Sequence, residues 1–248
     1  MARRPRPERL EAYLFDLDGV LTQTAKVHLA AWKEMFDAYL RARAEATGAP
    51  FEPFELADYT VHVDGRLRQD GVRTFLASRG IELPEGTPED PPELETVHGL
   101  GNRKNQLVLE LIRRDGVETY PGSVRYLEAV RALGRPCAVV SASRNCRAVL
   151  EAAGIEHLFD VRVDGEVAAR EGLAGKPAPD TFLAAAERLG VAPAQAAVFE
   201  DATSGVEAGR VGGFGWVVGV DRAGHADALY RHGADLVVGD LSELPEPT

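Results

Sequence analysis

Cysteine is scarce in this chain of 248 residues, which contains only Cys137 and Cys146. Two cysteines without metal-ligand spacing indicate neither a disulfide framework nor a zinc site, so we interpret them as small core residues and expect a reducing compartment. Long apolar runs are missing as well, because none approaches the roughly 18 residues of a membrane span. Positive charge is in deficit, with 28 Lys and Arg against 39 Asp and Glu. That deficit argues against nucleic-acid and membrane-surface partners.

The start of the chain, Met1 to Arg9, is rich in arginine and proline, and no apolar signal-peptide segment follows it. We expect a frayed tail there and a cytoplasmic protein. The composition, with 45% apolar and 27% charged residues, is ordinary for a folded domain. A chain of this length forms one large domain or a domain with a smaller companion, and we expect a monomer.

An apolar run near the start of the chain ends in two aspartates and a glycine, Asp16, Asp18 and Gly19. Residues two apart in a strand point the same way, so a strand here would present both carboxylates at its C-terminal end. Ligands bind at that edge of open α/β sheets. One interpretation is an Asp-rich turn. The other is a magnesium site in which one carboxylate is also a nucleophile.

Helical periodicity predicts helices over about 25–46, 69–79 and 103–114, with a Pro/Glu-rich loop at 83–92 between the last two. No convincing strand lies between Thr24 and Asp115. We therefore predict an all-helical cap domain, residues 25–114, inserted into a core formed by 1–24 and 115–248. Trp32 belongs to an aromatic stripe of the first helix. Such a stripe is usually core, and Trp32 is also a candidate substrate-binding residue.

From Tyr120 onward, apolar strand-like runs alternate with helical patterns. The first predicted helix places Val124, Leu127, Val130 and Leu133 inward. The predicted strands are Cys137–Val140, Ala196–Phe199, 215–220 and 235–238. Continuous apolar strands separated by helices indicate a parallel sheet covered on both faces. The predicted fold is thus α/β, with a Rossmann-like, doubly wound parallel sheet as the core and the helical cap inserted into it.

Polar residues follow three of these strands, and parallel strands bring their C-terminal ends to one edge. The residues concerned are Asp16 and Asp18, Ser141 and Ser143, and Glu200 and Asp201. Four carboxylates together would repel one another unless a divalent cation lies among them, and an all-oxygen donor set suits Mg²⁺. Each group also has a simpler interpretation, namely a helix N-cap for Glu200–Asp201 and a capping serine for Ser141.

Lys176 lies in a Gly-Lys-Pro turn, before Pro179 and a predicted helix. A lysine in a loop is usually solvated. Beside carboxylates and a phosphate, however, it would neutralise charge that moves during phosphoryl transfer. Ser141, together with N–H groups at a helix N-terminus, could likewise form a cradle for an anion.

Four motifs stand in order along the chain: Phe15-Asp16-Leu17-Asp18-Gly19-Val20, Ser141-Ala142-Ser143, Gly175-Lys176-Pro177-Ala178-Pro179-Asp180 and Phe199-Glu200-Asp201. With them the chain resembles the haloacid dehalogenase-like phosphotransferase superfamily and, within it, the β-phosphoglucomutase group. Further residues resemble cap and hinge positions of that group, namely Thr24 with His28, Arg68-Gln69-Asp70 and Arg103-Lys104-Asn105. The match covers nearly the whole chain.

The resemblance implies a role for each core residue. Asp16 would be the nucleophile and a Mg²⁺ ligand, and Asp18 the general acid and base, with its backbone carbonyl on the metal. Glu200 and Asp201 would complete the metal site. Ser141, the Ala142 amide and Lys176 would hold the transferring phosphate. The distal phosphate would contact Arg68, Ser143 and Asn145, while His28 and Lys104 would sit between core and cap and sense closure.

The expected activity is that of a β-phosphoglucomutase acting on a small phosphorylated sugar. A sugar-phosphate phosphatase on the same machinery is the alternative, and a catalytically silent binding protein is a more remote one. Asp18 favours phosphoryl transfer, because the dehalogenases of the superfamily lack it. The chain departs from the group at Gln23, where many relatives carry Asp, and in an enlarged cap at 43–59 and 84–98. These departures bear on which sugar is bound.

Overall fold

The computed structural model describes residues 10–247. Its six-stranded sheet has the strand order β3-β2-β1-β4-β5-β6, and every pair of neighbours is parallel. The strands are β1 (Ala12–Phe15), β2 (Cys137–Val140), β3 (Val161–Val163), β4 (Ala196–Glu200), β5 (Trp216–Val220) and β6 (Leu236–Val238). The order reverses between β1 and β4, and such a switch point is where open α/β sheets bind ligands.

The described residues contain ten α-helices. They are α1 (Thr24–Thr47), α2 (Leu56–Asp58), α3 (Arg68–Ser78), α4 (Val97–Asp115), α5 (Pro121–Ala132), α6 (Cys146–Ala153), α7 (Gly165–Glu171), α8 (Asp180–Leu189), α9 (Thr203–Val211) and α10 (Ala226–His232). A π-helical turn, Tyr59–Val63, continues α2, and short 3₁₀ turns lie at Glu156–Leu158, Pro193–Gln195 and Leu241–Glu243. None of the helices in this part of the chain is long and apolar enough to cross a membrane.

The predicted α/β class with a parallel sheet is confirmed, and four of the predicted strands match β2, β4, β5 and β6. One strand, β3, was not predicted. It has only three residues, and Arg162 interrupts its apolar character. Helices α7 and α10, of seven residues each, also escaped prediction. The expected frayed tail at 1–9 lies outside the described residues.

The chain divides into two compact units. Unit 1 comprises the described residues up to Gln23, Gly65–Leu67, and the chain from Val117 onward; unit 2 comprises Thr24–Asp64 and Arg68–Gly116. The three residues Gly65–Leu67 therefore belong to the sheet-containing unit, although they lie within the stretch predicted as cap. Gly65 accounts for this assignment, because its backbone packs closely against Ser204 of the same unit, and an added Cβ would lie 2.4 Å from Ser204 Oγ.

Unit 1 buries both faces of its sheet, as expected for strands that are apolar throughout. Phe15 and Phe199, on neighbouring strands, stack with ring centroids 4.6 Å apart. One packing prediction is wrong, because Leu133 is 50% exposed. Helix α5 ends at Ala132, so Leu133 lies outside the helix and does not continue its buried face. Tyr126 is buried instead.

Unit 2 is helical, and its described residues contain no strand. Its core is built on aromatic rings, with Phe36 lying 4.3 Å from Phe75 and 5.1 Å from Phe54 between ring centroids. The predicted third helix begins earlier than expected, at Val97. Thr96 caps this helix by accepting a hydrogen bond from the Gly99 N–H. Its first turns contain glycines, which have low helix propensity, so the sequence pattern did not indicate a helix there.

The two stretches of unit 2 that were expected to be enlarged, 43–59 and 84–98, are fastened by side chains. Asp37 accepts a hydrogen bond from the Phe54 N–H at 2.8 Å, and Lys33 donates to the Phe54 carbonyl at 2.6 Å. In the second stretch, Thr96 donates to Asp90 at 2.6 Å, and Asn102 donates to the Asp90 carbonyl. Both stretches are therefore tied by hydrogen bonds to the helices of this unit.

Candidate active site

The turn after β1 presents the first two carboxylates. Asp16 continues the strand, since its N–H donates to the Phe199 carbonyl at 2.9 Å, and the residue is only 6% exposed. The chain then turns at Gly19, whose φ of 88° and closeness to Asp201 both require glycine. A Cβ at Gly19 would lie 1.8 Å from Asp201 Oδ2. The turn and Asp201 are thus in direct contact.

Lys176 lies among these carboxylates and is 3% exposed, so the solvated-loop interpretation is wrong. Its Nζ is 2.6 Å from Asp16 Oδ1 and 2.5 Å from Glu200 Oε1. A third hydrogen bond, of 3.0 Å, runs from Nζ to the Val140 carbonyl at the end of β2. The ammonium therefore joins the ends of three adjacent strands.

Burial dominates the electrostatics of this cluster. It raises the pKa of the Asp16 carboxyl well above its usual range; Lys176 opposes the shift, while Glu200 and Asp18 add to it. Burial alone would lower the pKa of Lys176, but the attraction of Asp16 and Glu200 outweighs it and raises that pKa. The charged form of Asp16 is therefore disfavoured in this site, and a bound cation would relieve that condition.

Three carboxylates can approach one ion. Asp16, Glu200 and Asp201 each offer an oxygen, and these oxygens lie within 4.8 Å of one another. All of them are hard donors, which suits Mg²⁺. The Asp18 side chain is not part of this set, and Ser141 Oγ instead lies 3.4 Å from its Oδ2. The residues present therefore fit a divalent cation.

The loop after β2 does not use Ser141 as a helix cap. Helix α6 begins only at Cys146, and its N-cap Asn145 makes no side-chain capping bond. The Ser141 hydroxyl instead accepts the Ser143 N–H at 3.1 Å, and the Ser143 hydroxyl accepts the Asn145 N–H at 3.1 Å. Ser141 and Asp18 thus meet at the ends of the neighbouring strands β2 and β1. The helix N-terminus that we expected beside Ser141 lies further along the chain, at Cys146.

Glu200 is not an N-cap either. The N-cap of α9 is Ala202, which has no side-chain capping bond. Glu200 is fully buried, and its Oε2 accepts the Ala202 N–H at 2.9 Å while Oε1 faces Lys176. Gly205, which no sequence pattern marks as part of the site, makes room for it, since a Cβ there would lie 1.8 Å from Glu200 Oε1.

The remaining candidate residues lie in unit 2. His28 Nδ1 and Lys104 Nζ are 3.0 Å apart, and this Nζ lies 4.9 Å from the centroid of the Trp32 ring. Trp32 is 4% exposed and stacks on Phe36. Three of the predicted positions therefore form one cluster in which the indole is a core residue.

Two further predicted positions of unit 2 lie on helix ends. Arg68 begins α3 and donates to the Gly101 carbonyl at 3.1 Å, which ties α3 to α4. Thr24 is buried at the first residue of α1. Gln23, just before it and in unit 1, donates from its side-chain amide to the Thr119 carbonyl at 3.4 Å. Gln23 thus joins two chain segments of unit 1.

Comparison with known proteins agrees with this geometry. A family model described as a haloacid dehalogenase-like hydrolase matches residues 10–213. A β-phosphoglucomutase of Mycobacterium tuberculosis is 59% identical over 242 residues, which cover 96% of this chain and 92% of that protein. A fructose-1-phosphate phosphatase of Escherichia coli is 30% identical over 210 residues, covering 83% of this chain and 94% of that protein.

Among solved structures, a β-phosphoglucomutase from Clostridium difficile is similar with a TM-score of 0.75 and 27% identity, over 95% of this chain and 93% of that one. The chain therefore belongs to the haloacid dehalogenase-like hydrolase family. It is an enzyme of that superfamily.

Proposed function

We propose that this enzyme is a Mg²⁺-dependent β-phosphoglucomutase that interconverts β-glucose 1-phosphate and glucose 6-phosphate through a bound 1,6-bisphosphate. The observation that carries the proposal is the buried pairing of Lys176 with Asp16, 2.6 Å apart, beside a second aspartate that reaches Ser141. The 59% identical relative, matched over nearly its whole length, supports the choice of reaction. The enzyme would work in the cytoplasm, as a monomer.

In one half of the cycle, a carboxylate oxygen of Asp16 attacks the C1 phosphorus of the 1,6-bisphosphate, the bond from phosphorus to the C1 oxygen breaks, and Asp18 gives a proton to that oxygen, which yields glucose 6-phosphate. In the other half, Asp18 takes a proton from the C6 hydroxyl of β-glucose 1-phosphate. This oxygen attacks the phosphorus on Asp16, and the Asp16 carboxylate leaves, which restores the 1,6-bisphosphate. Each proton that Asp18 loses is thus regained within one cycle. The Ser141 hydroxyl, the Ala142 amide and Lys176 would hold the phosphate throughout.

A Mg²⁺ ion, when bound, supplies positive charge that keeps Asp16 ionised and offsets charge on the phosphate. Asp16, Asp201 and the Asp18 backbone carbonyl would bind it, with Glu200 completing the site. The position of Glu200 refines this role. Both of its oxygens already have protein partners, Lys176 and the Ala202 N–H, which favours an indirect contribution that holds Lys176 and the loop before α9.

The two units correspond to the proposed core and cap. We assign the distal phosphate to Arg68, Ser143 and Asn145. Thr24, His28, Trp32 and Lys104 would contact the sugar or respond to its arrival, with Trp32 acting through packing because its ring is buried. The pairing of His28 with Lys104 supports their acting as one group.

A sugar-phosphate phosphatase is the second candidate. The Escherichia coli fructose-1-phosphate phosphatase is 30% identical and matched over 94% of its length, so this scaffold also occurs in hydrolases. The two activities differ in whether water or a sugar hydroxyl attacks the phosphorylated Asp16. Asp18 would serve as the base in either case.

A phosphorus NMR time course separates the two activities. The protein is mixed with β-glucose 1-phosphate, Mg²⁺ and a trace of β-glucose 1,6-bisphosphate. We expect glucose 6-phosphate to appear much faster than free phosphate. Free phosphate as the main product would establish the phosphatase. The Asp16→Asn variant serves as the control, and substantial phosphoryl transfer by it would refute the nucleophile assignment.

A further inference from the structure

Arg222 lies two residues beyond β5 and belongs to none of the four motifs. Its side chain is 17% exposed and makes five hydrogen bonds. The acceptors are the carbonyls of Gly19 (3.0 Å from Nε), Val20 (3.4 Å from Nη2) and Gly239 (2.6 Å from Nη1), Asp240 Oδ2 (3.0 Å from Nη1) and Ser123 Oγ (3.1 Å from Nη2). A guanidinium has five N–H donors in a fixed planar fork, so its hydrogen-bonding capacity is matched here.

A sixth contact fixes the plane of this fork. The guanidinium carbon of Arg222 lies 3.6 Å from the centroid of the Tyr120 ring, a stacking distance. Tyr120 in turn donates its N–H to the Leu21 carbonyl at 2.8 Å. Arg222 therefore holds both the turn after β1 and a segment that pairs with the end of that turn.

Two of the acceptors belong to the turn that carries Asp18. Gly19 and Val20 follow Asp18 directly, and both direct their carbonyls to Arg222. On the strand side, the Asp16 N–H is fixed to β4 through the Phe199 carbonyl. Asp18 therefore lies, with Leu17, between a strand held by the sheet and a turn held by Arg222.

We propose that Arg222 is a positioning residue that sets the place of the Asp18 carboxyl relative to Asp16. The inference deepens the proposed function, because it rests on Asp18 acting as the acid for the leaving sugar oxygen. A lysine keeps the positive charge but cannot supply the fork or the stacked plane. Arg222→Lys should therefore displace the turn without removing the charge.

The choice of leaving group separates a positioning role from simple structural support. A sugar alkoxide is strongly basic and needs the proton from Asp18 as it leaves. The p-nitrophenolate ion is a weak base and leaves without one. A displacement of Asp18 alone should therefore slow the reaction of the sugar phosphate and leave the reaction of p-nitrophenyl phosphate unchanged. A displacement of Asp16, Lys176 or the metal site should slow both reactions.

The test measures two rates for the wild type, Arg222→Lys and Arg210→Lys, all in Mg²⁺. The first is steady-state conversion of β-glucose 1-phosphate; the second is single-turnover release of p-nitrophenolate with enzyme in excess. Arg210 is the matched control, because it is a similarly half-buried arginine that binds the Gly233 carbonyl and Asp235 in the same unit. Thermal melting of each variant monitors folding.

We expect Arg222→Lys to lower kcat on the sugar phosphate about 100-fold, since small misplacements of a catalytic group cost this much. KM and the single-turnover release of p-nitrophenolate should stay within about 3-fold of the wild type, and Asp18→Asn should show the same selectivity. Arg210→Lys should change neither rate by more than about 3-fold. Parallel losses on both substrates, or no loss on the sugar phosphate, would overturn the proposal.

Failure of the proposed function gives a different result. If the wild type releases phosphate from the sugar phosphate and forms no isomer, the mutase assignment falls. The comparison of leaving groups still holds, because hydrolysis also expels a sugar alkoxide in its first step. The two hypotheses are therefore tested by separate readouts.

Discussion

The Nζ atom of Lys176 lies 2.6 Å from Oδ1 of Asp16, and both side chains are almost completely buried. Lys176 also pairs with Glu200, so one ammonium faces two buried carboxylates, and burial raises the pKa of Asp16 above its usual range. One positive charge thus faces two negative charges, and we expect Lys176 to be important for stability as well as for the proposed phosphate binding.

We expect Lys176→Met to lower the free energy of unfolding by about 3–5 kcal/mol, because it leaves buried carboxylates without a partner. Urea unfolding in the presence of a chelator measures the loss. Lys33→Met is the control. Lys33 pairs with Asp37 at a half-exposed position, and its removal should cost no more than about 1 kcal/mol. Equal losses in the two variants would contradict the ion-pair account.

Asp16→Asn should abolish phosphoryl transfer yet preserve the fold. Because the folded pKa of Asp16 is raised, its stabilising contribution is present below the unfolded pKa and is lost as pH rises through the folded value. The amide does not ionise. In chelator, the variant should therefore gain stability relative to the wild type as the pH is raised across this window. Melting temperatures at several pH values test this.

Magnesium provides the internal check on that pH dependence. Adding Mg²⁺ should stabilise the wild type more than Asp16→Asn, because the ion compensates a carboxylate that the variant lacks. A difference in melting temperature that is independent of both pH and Mg²⁺ would show that Asp16 does not titrate as described.

Most of the candidate site could be predicted because a parallel sheet places the C-terminal ends of its strands along one edge. Once β1, β2 and β4 are recognised as apolar runs, their C-terminal ends meet at one edge, and Asp16, Ser141 and Glu200 come together without any knowledge of packing. The sheet could be predicted without β3, because this strand has only three residues and is too short to give a recognisable sequence pattern.

What escaped prediction depends on contacts between distant residues. Lys176 was expected in the site from its motif, whereas its burial could not be predicted, because that burial follows only from the carboxylates around it. Arg222 is a lone arginine after a strand, and its partners Gly19 and Val20 are more than 200 positions away. Gly205 is a helical residue whose contact with Glu200 exists only in the folded structure. Local periodicity carries no information on such pairs.

The two cysteines should be inert while the protein is folded. Both are completely buried, and burial raises the pKa of the Cys137 thiol to about 12 and that of Cys146 well above its usual range. Since the thiolate is the reactive form, maleimide at neutral pH should label neither residue in the native protein and both in urea. Mass spectrometry counts the adducts. Rapid labelling of the native protein would mean that one of these core positions opens.

Gly205 and Gly209 form a matched pair on α9. An added Cβ at Gly205 would lie 1.8 Å from Glu200 Oε1, whereas one at Gly209 meets only Val217 and Val198 side chains at 3.2 and 3.3 Å. Gly205→Ala should therefore push Glu200 away from Lys176 and lower kcat about 100-fold, since the displaced groups position the reaction. Gly209→Ala should keep its activity, with the helix-propensity gain of up to about 1 kcal/mol offsetting mild crowding. Steady-state kinetics and melting curves on the two variants decide the matter. Unchanged activity in Gly205→Ala would mean that the contact between Glu200 and Lys176 is not required for turnover.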